Sequence, residues 1–159
     1  MTRSVSVAMG EIRVSGNPFV ELVAYALGSC VGIIAYDAQQ RIGGIHHVML
    51  AHASMVPAKA ECRPSMFADT GFPLLVQMMR GRGARSVSIR LVGGACSLGG
   101  EAPFAVGKNN IEAVQALVQQ SGLPVVGSDL GGSVARTVRL AIDSGVVTIA
   151  YGDGKARNL

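Results

Sequence analysis

The chain has no tryptophan, and aromatic residues make up only 4% of its 159 residues. Stacking platforms for single-stranded nucleic acid are therefore missing. Charge is sparse as well: 15% of residues are charged, with a net balance of +4. Apart from Arg80, Arg82, Arg85 and Arg90 the cations are scattered. A mildly basic surface is the plain reading, with an acidic protein partner as its rival and no nucleic acid expected. Only three cysteines occur, Cys30, Cys62 and Cys96, an odd number without CxxC spacing. That argues against a disulfide framework and against structural zinc, so no metal and no cofactor are expected. No apolar run approaches the roughly 20 residues that span a bilayer. Residues 1–6 lack the apolar stretch of a secretory leader. The expectation is a cytoplasmic protein with reduced thiols and no membrane insertion.

What is present is apolar and glycine-rich. Hydrophobic residues reach 49%, which excludes a disordered chain, and the length suits one domain over residues 1–159. Short alternating runs at residues 5–9 and 11–14 read as strands. Residues 21–26, 31–36 and 42–50 read as three more, with a turn at Asp37-Ala38-Gln39-Gln40. Residues 52–64 are small, polar and proline-bearing, and read as an exposed loop. Phe67, Leu74, Leu75, Met78 and Met79 share a helical face, and Pro73 marks the start of that helix or a kink in it. Residues 87–91 alternate as a strand, and residues 97–103 form a glycine-rich loop. Asn109 or Asn110 is the expected N-cap of a second helix. Residues 123–126 read as a short strand, 127–133 as a loop, and 134–142 with 146–151 as a hairpin. The tail after Gly152 is expected to fray. The fold class is α+β, with a mostly antiparallel sheet and two main helices.

The richest segment is Leu27-Gly28-Ser29-Cys30-Val31. An apolar run enters a Gly-Ser turn, presents a thiol and leaves as a second apolar run. The plain reading of a lone cysteine is a small buried hydrophobe. The preceding glycine shifts that reading, because backbone N–H groups beside a nucleophile can face a reacting carbonyl oxygen. Cys96 follows Gly93-Gly94 and is placed to line the same cleft. Downstream, His46 and His47 sit in one strand and face opposite sides. Only one of them can meet Cys30, and alternation does not choose which. The glycine pairs at 93–94, 99–100 and 131–132 carry no GK[ST] and no surrounding βαβ unit, so phosphate binding is not expected.

These residues resemble a known family. The Leu27-Gly28-Ser29-Cys30-Val31 turn followed by Gly43-Gly44-Ile45-His46-His47-Val48-Met49-Leu50 is similar to the signature of the CheD chemoreceptor glutamine deamidases. Further segments follow in order: Phe67-Ala68-Asp69, Gly93-Gly94-Ala95, Val106-Gly107-Lys108-Asn109-Asn110, and Asp129-Leu130-Gly131-Gly132 with Ala135-Arg136-Thr137-Val138. The resemblance implies an α/β layered sandwich and a cysteine amidohydrolase that converts glutamines of methyl-accepting chemotaxis receptors to glutamates. It implies Cys30 as nucleophile and His47 as base; the turn at Gly28 and Ser29, read from the residues themselves, is the candidate source of the oxyanion donors. A CheC-type phosphatase is the partner it implies. The family's orienting threonine falls at Ala24 here. A methyl group cannot hold an imidazole, so a backbone carbonyl, a water or another side chain takes that role, or nothing does. That departure keeps a rival open: a weakly active or inactive module that docks on chemoreceptors or on such a phosphatase. A different Cys-His hydrolase is the third reading.

Overall fold

The computed structural model describes residues 1–96 and 105–159. The strands are β1 (Arg3–Ser6), β2 (Ile12–Ser15), β3 (Val20–Leu27), β4 (Val31–Asp37), β5 (Ile42–Val48), β6 (Ser88–Gly93), β7 (Val125–Leu130), β8 (Arg136–Ala141), β9 (Val147–Tyr151) and β10 (Ala156–Asn158). The helices are α1 (Pro57–Cys62), α2 (Ala68–Gly81) and α3 (Val106–Ser121). None of them is long and apolar enough to cross a membrane.

The strands form two five-stranded sheets, ordered β1-β3-β8-β9-β10 and β2-β5-β4-β6-β7. One apolar core lies between the sheets, around Leu22, Leu27, Ile34, Ile45, Val138 and Leu140. A second lies between the β4–β5 sheet and helices α2 and α3, around Ile33, Leu75, Leu91 and Val114. Strands β4 and β5 are buried along their whole length, because they are covered on both faces. Alternation then sorts their residues. Val31, Ile33 and Ala35 pack toward the helices, while Ile34 and Tyr36 pack toward the opposite sheet. The β4–β5 turn is pinned by Asp37, whose buried carboxylate accepts from the backbone N–H groups of Gln39, Gln40, Arg85 and Ser86. Burial works to raise its pKa, but those four donors together bring it below the ordinary value.

The α+β reading stands in its coarse form, as a mixed α/β chain with helices and two sheets. The expected antiparallel character does not. Both sheets are mixed, since β1 pairs with β3 and β6 with β7 in parallel. The β6–α3–β7 segment is also a βαβ unit around Gly93-Gly94, where none was expected. Its strands are joined by the kind of crossover that parallel pairing requires.

Several boundaries move for reasons outside local sequence. Helix α2 begins at Ala68 and runs through Pro73. Its first N–H groups are met by the carbonyls of Leu50 and Ala51, so the end of β5 fixes its start. The 52–64 segment contains α1 rather than open loop. Helix α3 begins at Val106, so Asn109 and Asn110 lie inside it and cap nothing. Strand β7 extends to Leu130 through residues read as loop. The tail does not fray: β10 pairs with β9, and the Leu159 N–H donates to the Val147 carbonyl at 2.9 Å. The glycine-rich loop expected at 97–103 lies outside the described residues.

Candidate active site

Strand pairing brings the candidate thiol and one imidazole to the same side. Gly32 of β4 lies opposite His47 of β5 in register, and directly paired residues share a face. Cys30 precedes Gly32 by two positions and so faces the same way. That face looks into the core between the sheets, and Cys30 belongs to the same buried cluster as Leu27, Val92 and Val138. His46 looks the other way. Its Nε2 lies 2.7 Å from the Ser65 carbonyl oxygen, and its ring fills the space a Cβ on Gly71 of α2 would need. Burial, the largest influence, pulls the His46 pKa down to about 4, so it stays neutral.

The His47 ring is oriented by main chain. Its Nδ1 lies 2.9 Å from the Val7 carbonyl oxygen, which can only accept, so Nδ1 carries the proton and donates. Nε2 is then the lone-pair nitrogen. It is buried and has no hydrogen-bond partner among the described residues. Burial lowers the His47 pKa, opposed by the Val7 bond and by the charge of Glu11. Val7 is held in turn: its N–H donates to the Val23 carbonyl at 2.8 Å. Beside Val23 stands Ala24, fully buried in the inter-sheet core and paired with Val138, where it packs and orients nothing. Of the alternatives left open for the orienting group, the geometry supplies a backbone carbonyl.

The turn that carries Cys30 is held by its carbonyls. The Gly28 oxygen accepts from Ala95 N at 2.7 Å, and the Cys30 oxygen from Gly94 N at 2.8 Å. The Ser29 oxygen accepts from Asn110 Nδ2 at 3.0 Å. A trans peptide points its C=O and N–H in opposite directions. The Ser29 and Cys30 N–H groups therefore point opposite to the Gly28 and Ser29 carbonyls. The Cys30 N–H faces its own sulfur, where it acts to lower the thiol pKa; burial is the larger influence and pushes the thiol above its ordinary 9.0. Upstream, β3 breaks register with β8 between Ala24 and Leu27, and Ala26 adopts φ +51°. A side-chain-bearing residue in that region stores about 1 kcal/mol of strain.

Gly28 itself is not sterically required, since a Cβ there would meet nothing within 4 Å. The demand falls on Gly93, which was read only as loop geometry. It has φ +115°, and a Cβ would lie 2.3 Å from the Cys30 carbonyl oxygen. Gly93→Ala must therefore push the thiol turn off its support. We expect a loss of about 3 kcal/mol or more from strain and clash together, read as a lower urea midpoint at unchanged slope.

Asn110 is the residue that sequence reading misplaced. The signal for it was its position in the Val106–Asn110 segment, which was taken for a cap. Cys96 is exposed, with its N–H on the Gly132 carbonyl, and Cys62 is exposed at the end of α1. A hollow of about 850 Å³ between α2 and α3, near Phe72 and Leu117, lies on the helix side and holds neither Cys30 nor His47. The chemistry-bearing groups, not the cavity, mark the site.

A family model described as CheD chemotactic sensory transduction matches residues 49–151. That span begins beyond both Cys30 and His47, but the matches to whole-chain relatives extend over both positions. A protein of Solibacter usitatus called "Probable chemoreceptor glutamine deamidase CheD" is 41% identical over 157 residues, covering 98% of this chain and 92% of its own length. One from Anaeromyxobacter dehalogenans, "Probable chemoreceptor glutamine deamidase CheD 2", is 37% identical over 151 residues, covering 94% of this chain and 95% of its own. A third, from Syntrophus aciditrophicus, is 38% identical and covers 98% of both chains. Identity at this level along essentially the whole length, with the thiol turn and the histidine strand inside it, leaves one assignment: the chain belongs to the CheD family.

Proposed function

We propose that this protein is a glutamine deamidase acting on methyl-accepting chemotaxis receptors, with Cys30 as nucleophile and His47 as general base and acid. The observation that carries the reading is the His47 imidazole. Its Nδ1 is fixed on the Val7 carbonyl and its Nε2 is unpartnered among the described residues, on the sheet face that also presents the thiol. The names of the relatives supply the substrate class.

The chemistry runs in two halves. His47 Nε2 takes the proton from the Cys30 thiol as sulfur attacks the side-chain carbonyl carbon of glutamine. The π pair of that carbonyl moves onto oxygen, and the Cys30 N–H, with the Ser29 N–H beside it, faces the developing oxyanion. The tetrahedral intermediate collapses as His47 returns the proton to nitrogen, so ammonia leaves and a thioester remains. Water then attacks the thioester carbon while Nε2 accepts its proton. Collapse expels the sulfur, which regains that proton, and glutamate is released.

The raised thiol and the lowered imidazole rest as a neutral pair. Proton transfer therefore accompanies attack instead of preceding it. The pair holds its single working proton between the two shifted values. We expect kcat/KM to be flat near neutrality, with its acid limb below pH 6.5 and its alkaline limb above 9.0. An acid limb centred above 6.5 would contradict this assignment.

The function is tested by incubating a receptor cytoplasmic fragment with the wild-type protein. Peptide mass spectrometry should find glutamates at former glutamine positions, with one ammonia released for each. A fragment that binds and stays unmodified makes the chain a docking module and ends the deamidase reading. Turnover of generic amides without any receptor would point to a different Cys-His hydrolase.

A further inference from the structure

We infer that Asn110 is a positioning residue that holds the oxyanion donor in place, an inference that rests on the deamidase reading. Its side chain is almost wholly buried, at 1% exposure, on the first turns of α3. One amide nitrogen reaches two separate segments: Nδ2 donates to the Ser29 carbonyl and to the Met49 carbonyl, each at 3.0 Å. Both partners are acceptors, so the orientation of the amide is dictated by chemistry. The first segment is the turn that carries Cys30, and the second is the end of the strand that carries His47. A single group thus ties the nucleophile's support to the base's support.

The bond to Ser29 has a direct consequence for catalysis. The Ser29 carbonyl and the Cys30 N–H belong to one planar peptide. Fixing the carbonyl aims the N–H the opposite way, toward the thiol side, and a charge-polarised carbonyl makes that N–H a better donor. The other two carbonyls of the turn are held by backbone N–H groups of Gly94 and Ala95. Asn110 is the side chain in the set, and so the one that substitution can remove. Its own Oδ1 is buried with no partner among the described residues. An orphaned amide oxygen is destabilising.

The test separates acyl transfer from thiol reactivity. Alkylation of Cys30 by iodoacetamide, followed at that peptide by mass spectrometry, needs the thiol but develops no oxyanion. Asn110→Ala should lower kcat for receptor deamidation about 10- to 100-fold, with KM within about threefold. Cys30 alkylation should fall far less, within about fivefold of wild type, because the Cys30 N–H is the smaller influence on the thiol beside burial. Asn110→Leu keeps a branched side chain of similar shape, carries neither donor nor charge, and should behave alike; it serves if the alanine variant does not fold. Equal falls in kcat and alkylation, wild-type kcat in a folded variant, or failure of both variants to fold would each overturn the inference. Its failure is distinguishable from that of the deamidase reading. Wild type that leaves the receptor unmodified overturns both, whereas active wild type with inactive Cys30→Ala and fully active Asn110→Ala overturns the Asn110 role alone.

Discussion

Cys30→Ala leaves the glutamines of a receptor fragment intact, with the rate down by at least about 1,000-fold. Among the described residues neither other cysteine is placed to replace the sulfur. Cys62 is exposed on α1, and Cys96 is exposed with its backbone bound to Gly132. The substitution is mild for the fold. It deletes one buried atom among Leu27, Val92 and Val138, which costs about 1 kcal/mol. The carbonyl bonds that hold the turn involve backbone at residues 28–30 and survive it. Receptor binding should persist in a pull-down while deamidation, read by peptide mass spectrometry, disappears. Residual deamidation near the wild-type rate would remove Cys30 from the mechanism.

His47→Ala should lower kcat/KM by about 100- to 10,000-fold near neutral pH, the usual range for loss of a positioned base. This variant also leaves the Val7 carbonyl buried without its donor, at about 1–3 kcal/mol of stability. The deficit should be pH-dependent in a particular direction. Without the imidazole, attack relies on thiolate alone, and burial sets the thiol pKa above 9.0. The rate of the variant should climb about tenfold per pH unit toward that value, so the gap from wild type narrows in alkali. A pH-independent deficit would assign His47 to structure instead of proton transfer.

The parts of the site legible in the sequence were those that depend on local pattern. A bend followed by an apolar run put Cys30 at the mouth of β4, and strand alternation split His46 from His47. Alternation could not say which histidine shares the thiol's face, because that depends on which face of β5 the second sheet covers. The orienting carbonyl of Val7 left no trace at all. It belongs to a residue whose side chain is an ordinary valine, forty positions from the ring it holds. Asn110 was misread for the opposite reason. Asparagine near a helix start has a local explanation, and its actual partners lie 81 and 61 residues away. The parallel pairings of β1 with β3 and of β6 with β7 were hidden likewise, since strand direction is a property of connections and not of composition. The ordered tail follows the same rule: the Leu159 N–H donates to the Val147 carbonyl, a contact no end-of-chain pattern encodes.

The Val7 carbonyl has a genetic consequence. Every amino acid supplies the same acceptor at position 7, so no codon change there deletes it, and a side-chain scan passes over it in silence. Selection on imidazole orientation is thereby moved from one residue's identity to the path of the segment between β1 and β2. Position 24 is relieved of that duty and is free to be filled for packing, as alanine fills it here. The lesions that reach the orienting group are those that reroute the backbone: a deletion or insertion between residues 7 and 11, or a proline at position 7, which lacks the N–H that Val7 gives to Val23.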